Sequence, residues 1–192
     1  MHVRWNRTNT ALRLGGMLLA GALGAAPPVE GLAAAQCATL PRDSGFEAQT
    51  RTRVSSPWIQ EGQAQVELGT GNARAGNNNA LLRNTRDWNA IRSRVQLTAG
   101  ARYTLRAWVR TSGNVRDGYF GFRDASQRPV QEIKYGPLPR YSELRVVYRP
   151  PATGTYNLFA GFWAPGQDAW VRVDDMRMEG PCGDVVLNPV DG

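Results

Sequence analysis

The chain has 192 residues, enough for one domain with a sizeable core, and 20% of them are charged. Its formal net charge is +7, yet Lys134 is its one lysine, so the charge rests on arginines scattered along the chain with no basic cluster or nucleic-acid motif beside them. Its one histidine is His2, which excludes a Ser-His-Asp or Cys-His catalytic arrangement in the body of the chain.

Arg4, Arg7 and Arg13 precede the apolar run LGGMLLAGALGAA, and Ala33 to Ala35 close the segment in the Ala-x-Ala manner. Residues 1–35 thus have the layout of a secretory signal peptide. The run is too short for a comfortable membrane span, so no span is expected and the mature chain is placed outside the cytoplasm, secreted or periplasmic. Removing the leader takes away three arginines and Glu30, leaving 20 basic and 15 acidic residues, or +5. In an oxidising compartment, the simplest reading of Cys37 and Cys182 is one disulfide that ties the ends of a single domain, residues 36–182, together. Two free thiols or an intermolecular bridge are the alternatives. Residues 183–192 read as a loose tail.

Between these ends the pattern is that of strands. A flexible loop is expected over residues 69–79, and after it come RVQL, YTLRAWVR, GYFGF, ELRVVY, YNLFAGF and WVRVDDMRM, each alternating apolar with polar residues. Turn residues at 98–100, 112–114, 150–154 and 164–168 separate them, and no segment keeps a helical period. Eight or nine short strands at this spacing predict an all-β, antiparallel two-sheet sandwich of jelly-roll type.

If Leu105, Phe120, Phe122, Leu144, Val146, Leu158 and Phe162 face the core, the opposite face carries Trp108, Tyr119, Arg123, Arg145, Phe159, Trp163 and Arg172. Rings beside guanidinium groups are unusual on a water-facing sheet and point to a binding surface; the alternative is that loops cover them as a second small core. Trp88, in the polar stretch NTRDWNAIRSRV, is open to the same two readings: a cap on the core edge, or a platform on which a ligand stacks.

Four stretches in order, DSGFE at 43–47, NALLRNTRDWNAI at 79–91, LTAGARYTLRAWVRTS at 97–112 and WVRVDDMRM at 170–178, resemble the successive signatures of cellulose- and xylan-binding carbohydrate-binding modules, families four, nine and twenty-two. The resemblance implies a galactose-binding-like jelly roll that binds polysaccharide and is not itself an enzyme. It gives Trp88 the role of stacking on a sugar ring, with Arg86 and Asn89 bonding hydroxyls at the rim; from the ring-bearing strand face, at least one of Tyr119 and Trp163 is expected near enough to share the ligand. It also implies a structural calcium between Glu47 and Asp174, with Asp175 as substitute. The segment GFWAPGQDAW departs from the family pattern, which leaves the partner side of the cleft unassigned.

The expected function is therefore a secreted, monomeric, non-catalytic module for polysaccharide of β-glucan or xylan type, with an acidic glycan admitted by the positive charge. An envelope adhesion domain that docks protein is the second reading. A small glycan-active enzyme is the third, with Glu132, Glu143, Asp117 and Asp124 as acids that no spacing pairs.

Overall fold

In the computed structural model, residues 36–39 and 41–181 are described, with side chains from residue 41 onward. The leader, Cys182 and the tail 183–192 lie outside the described residues, and so does the pairing of Cys37 with Cys182. Eleven strands run in chain order: β1 (Gln36–Thr39), β2 (Ile59–Glu61), β3 (Ala64–Leu68), β4 (Asn78–Asn84), β5 (Trp88–Leu97), β6 (Tyr103–Thr111), β7 (Asp117–Arg123), β8 (Pro129–Tyr135), β9 (Ser142–Tyr148), β10 (Gly154–Trp163) and β11 (Ala169–Pro181).

They form two antiparallel sheets. One has the order β3-β4-β11-β6-β9, with β1 also paired to β11; the other has the order β2-β5-β10-β7-β8. Period-two alternation turns one face of each sheet inward. Tyr103, Leu105, Ala107 and Val109 of β6 are fully buried, as are Phe120 and Phe122 of β7 and Leu158, Ala160 and Phe162 of β10. These side chains and Val171, Val173, Met176 and Met178 of β11 fill the space between the sheets. Phe46 and Trp58, from the loops before β2, close one end with ring centroids 4.9 Å apart.

The all-β sandwich expected from the alternation is the fold observed, with eleven strands among the described residues in place of eight or nine. Other details also differ. Asn78 and Asn79, expected in a loop, begin β4, and Trp88, expected in a polar loop, is the first residue of β5. The seven residues expected to share one face are divided between two: Trp108, Arg145 and Arg172 lie on the outer face of the six-stranded sheet, and Tyr119, Arg123, Phe159 and Trp163 on that of the five-stranded sheet. Alternation orders residues along a strand, whereas the assignment of strands to sheets depends on pairing between segments far apart in sequence.

Candidate functional site

The outer face of the five-stranded sheet carries a group of rings placed by strand register. Trp88 of β5 and Trp163 of β10 are cross-strand partners, and Gly161, two residues before Trp163, stands opposite Tyr119 of β7. Trp88 lies 5.6 Å from Trp163, 6.3 Å from Tyr119 and 6.1 Å from Phe159, centroid to centroid, all at tilted angles. Gly161 makes this possible: a Cβ there would sit 2.5 Å from the Trp88 ring. The indole crosses β10 because that position has no side chain.

The rings differ in exposure. Trp163 is 52% exposed, Trp88 and Tyr119 are half-buried, and Phe159 is fully buried. Phe159 is covered by Arg123, whose guanidinium lies 4.1 Å from its centroid and 4.7 Å from that of Trp88. The guanidinium thus lies over both rings, and its planar fork leaves N–H groups free to reach a carboxylate. Beneath it, Glu61 of β2 accepts hydrogen bonds from Trp88 Nε1 at 2.8 Å, Arg92 Nε at 2.8 Å and Arg123 at 3.0 Å. Burial alone would raise the Glu61 carboxyl, but the Trp88 N–H and the Arg123 and Arg92 guanidinium groups outweigh it and leave the carboxyl below the usual glutamate range.

Above this floor runs an open groove of about 390 Å³, bounded by Trp88, Tyr119, Trp163 and Arg123 and by Gln127, Pro129 and Glu132 from β8 and the turn before it. A flat apolar ring with polar groups at its rim meets such a surface well: axial C–H groups rest on the aromatic faces, and hydroxyls reach the Glu132 carboxylate and the Gln127 amide.

Of the residues singled out from the sequence, Trp88, Tyr119 and Trp163 come together. Arg86 and Asn89 do not join them. Arg86 stands in an exposed turn, with a 3.8 Å ion pair to Asp87, and does not line the groove. Asn89 is fully buried: its Oδ1 accepts from Gln63 N and Asn84 Nδ2, each at 2.9 Å, and its Nδ2 donates to the carbonyls of Arg86 and Asp87. Period two explains the correction, since Trp88 faces outward and its neighbour therefore faces in. Asn89 shapes the turn that delivers Trp88. Sequence reasoning missed Gln127, Pro129 and Glu132 as groove residues and Glu61 as the carboxylate tied to Trp88 and Arg123. Glu61 has no local signal at all, since it reaches Trp88 and Arg92 only through pairing of β2 with β5.

The carboxylates assigned to calcium act on backbone amides. Glu47 Oε1 accepts from the N–H groups of Asn77 and Asn78, each at 2.9 Å. Asp174 Oδ2 accepts from Arg74 N at 2.7 Å and Ala75 N at 3.1 Å, and its Oδ1 from Asp175 N at 2.8 Å. Asp175 pairs with the Arg74 guanidinium at 2.8 Å. Among the described residues no three His, Cys, Asp or Glu side chains converge as a metal-holding group. The N–H groups of residues 74, 75, 77 and 78 that these two carboxylates accept make them a clamp on that segment. Burial raises the Asp174 carboxyl to about 6, against the three amides that favour its charged form.

That clamp roofs the outer face of the six-stranded sheet. Arg74 stacks on Trp108 at 4.3 Å, Asn72 donates to Glu67, and Tyr141 OH donates to the Asn72 carbonyl from the other side. Arg172 lies on Trp170 at 4.4 Å and grips Glu67 with two bonds of 2.7 and 3.0 Å. Burial pushes the Tyr141 hydroxyl above its ordinary range, as a residue under cover requires.

No protein-family model matches the chain, and no curated protein matches its sequence. Among solved structures, the Stig cyclase Fisc from Fischerella sp. TAU, in complex with (3Z)-3-(1-methyl-2-pyrrolidinylidene)-3H-indole, is similar with a TM-score of 0.59 at 13% identity, over 77% of this chain and 99% of that one. TmCBM61 in complex with β-1,4-galactotriose gives a TM-score of 0.54 at 19% identity over 71% and 94% of the two chains. The CBM22-1 xylan-binding domain of Paenibacillus barcinonensis Xyn10C gives 0.52 at 15% over 72% and 92%. The fold is that of carbohydrate-binding modules. At these identities the likeness establishes fold alone, and the cyclase shows that enzymes use it as well.

Proposed function

We propose that the protein is an exported, non-catalytic module that binds a polysaccharide chain in the groove on its five-stranded sheet, with Trp163 as the open stacking platform and Trp88 and Tyr119 as its flanks. The observation that carries this reading is a half-exposed tryptophan set among two further rings over a groove whose rim holds an unengaged carboxylate, Glu132, and an amide, Gln127. An indole left open beside polar acceptors costs solvation and is retained where a partly apolar, partly hydroxylated ligand covers it. TmCBM61 with its galactotriose and the xylan-binding domain support a neutral, hydroxyl-rich chain as ligand. Charge in the groove supports the same class, because Arg123 is neutralised by Glu61 and Glu132 adds a negative group.

One observation favours a second reading, an enzyme: a cyclase with an indole-containing ligand shares the fold. Against it, among the described residues Glu132 is the one carboxylate that lines the groove, and Glu61 is committed to three donors, whereas an acid–base pair needs both groups at the substrate.

Affinity electrophoresis in gels carrying xylan, β-1,4-galactan, β-glucan or pectin tests the proposal. Retardation of the wild type by a neutral polymer, lost in Trp163→Ala, is expected. A fully folded protein retarded by none of the four polymers speaks for a protein-docking face instead.

A further inference from the structure

Trp88 and Arg123 are not held in place by the residues that border the groove with them. Trp88 rests on the bare backbone of Gly161, and Arg123 lies over two rings that offer it no counter-charge. Both are tied to Glu61, which does not line the groove. One of its oxygens, Oε2, takes the indole N–H of Trp88 and a guanidinium N–H of Arg123, and the other, Oε1, takes Arg92. Arg92 is itself anchored by a second bond, 2.9 Å to Asn157 Oδ1 on β10. Glu61 therefore links three strands of the sheet, β5 through Trp88 and Arg92, β7 through Arg123 and β2 through its own backbone.

The carboxylate is also fixed from behind. Glu61 stands opposite Ala90 in the β2–β5 pairing, and Gly62 follows it with φ of 64°. A Cβ on Gly62 would meet the Trp88 carbonyl oxygen at 2.3 Å and Asn89 Oδ1 at 2.7 Å. The chain is thus pressed against β5 immediately after Glu61, in a left-handed turn that suits glycine. Of the three residues of β2, Glu61 is the one whose side chain reaches across the face, and it is 22% exposed.

We propose that Glu61 is the positioning residue of the groove: without touching the ligand, it fixes the tilt of the Trp88 ring and keeps the Arg123 guanidinium down on Phe159, so that the floor is in place before a sugar arrives. This rests on the reading of the groove as a glycan site. Without Glu61 the indole loses the bond that sets its rotation, and Arg123 carries a half-buried charge with no partner, which draws it up into the space the ligand takes. Affinity then falls through lost preorganisation and not through a lost contact.

The experiment uses Glu61→Gln, Glu61→Ala and Trp163→Ala in the full chain. Three quantities are read: retardation in gels carrying xylan or β-1,4-galactan, the thermal melt, and the exciton couplet that two indoles 5.6 Å apart give in circular dichroism, which needs no ligand. Glu61→Ala is expected to lose the couplet while keeping the sheet spectrum, and to bind at least about tenfold more weakly, the scale on which outer partners act on the groups they orient. Glu61→Gln retains an acceptor for Trp88 Nε1 but no charge for the arginines. It is expected to keep the couplet and to bind severalfold more weakly, so it carries the test if the alanine variant does not fold. Retardation lost in Trp163→Ala but unchanged in both Glu61 variants overturns the positioning role and leaves the glycan reading standing. Retardation of the wild type by neither polymer overturns the glycan reading and the role of Glu61 in affinity with it.

Discussion

The two outer faces of the sandwich carry almost the same chemistry and do opposite things with it. Each has tryptophans, each stacks an arginine on one of them, and each pairs an arginine with a glutamate, the buried Glu67 on one and the half-buried Glu61 on the other. On the six-stranded sheet, the segment held by the clamp lays Arg74 over Trp108, and Tyr141 ties that segment down through the Asn72 carbonyl, so part of the face is covered. On the five-stranded sheet nothing among the described residues crosses Trp163. Residue type therefore does not distinguish a binding face from a packed one. What distinguishes them is whether a loop is anchored across the rings, and here the anchors are two carboxylates holding backbone amides.

The largest effect that separates the faces is expected from Glu67→Ala. It leaves the guanidinium of Arg172, 15% exposed, without a partner, which should cost about 3–5 kcal/mol while glycan retardation is unchanged. A melt within a degree of the wild type would show that the covered part of that face is not packed.

Next comes the pH response of the clamp. The folded Asp174 carboxyl, at about 6, lies above its unfolded value near 3.9, so the fold favours its neutral form. Its contribution is complete below the unfolded value and is lost as pH rises from about 4 to 6, on the order of 3 kcal/mol. Asp174→Asn should flatten that slope in the thermal melt. A calcium ion held by Glu47 and Asp174 would lower the carboxyl and also erase it, so equal slopes in chelator and in excess calcium are what the amide clamp predicts. Glu61 has the opposite sign: its folded value is lowered, so its contribution is present above the ordinary glutamate range and lost as pH falls through the folded value.

Trp88 belongs to both kinds of face. Half-buried, Trp88→Ala should lower stability by about 2 kcal/mol, less than a fully buried tryptophan costs, and also abolish retardation. Trp163→Ala should lower stability by less than about 1 kcal/mol, as expected of an exposed ring, and lose the same binding. Equal stability losses for the two variants would put both rings in the same environment and remove the distinction between platform and flank.

Much of this was legible in the sequence, and the reasons are local. Tyr103 to Val109 alternate so cleanly that their inward and outward residues follow from period two alone, and the same holds for β7 and β10; in β11 a register shift between Asp174 and Arg177 exchanges the faces. Trp88, Tyr119 and Trp163 stand out because a ring in a polar context needs an explanation. What could not be read depends on pairing across long stretches of chain. The division of the rings between two sheets follows from β11 lying between β4 and β6, and Glu61 reaches its three partners across 27 to 62 residues. The place of Asn89 could have been found, since the residue after an outward Trp88 in a strand must point inward. Its polar neighbourhood reads as a loop, where period two does not apply.

The position of β11 also constrains how the molecule is made. Of the strands in the six-stranded sheet it comes last in the chain, yet it lies in the middle, with β4 on one side, β6 on the other and β1 along its far end. Until residues 169–181 are available, β4 and β6 have no shared neighbour, and each presents a row of unpaired backbone groups. A nascent or truncated chain is thus a pair of open edges waiting for one insertion, which makes folding late, dependent on distant contacts and slow. A stop just short of β11 would leave two adhesive edges in place of one six-stranded sheet.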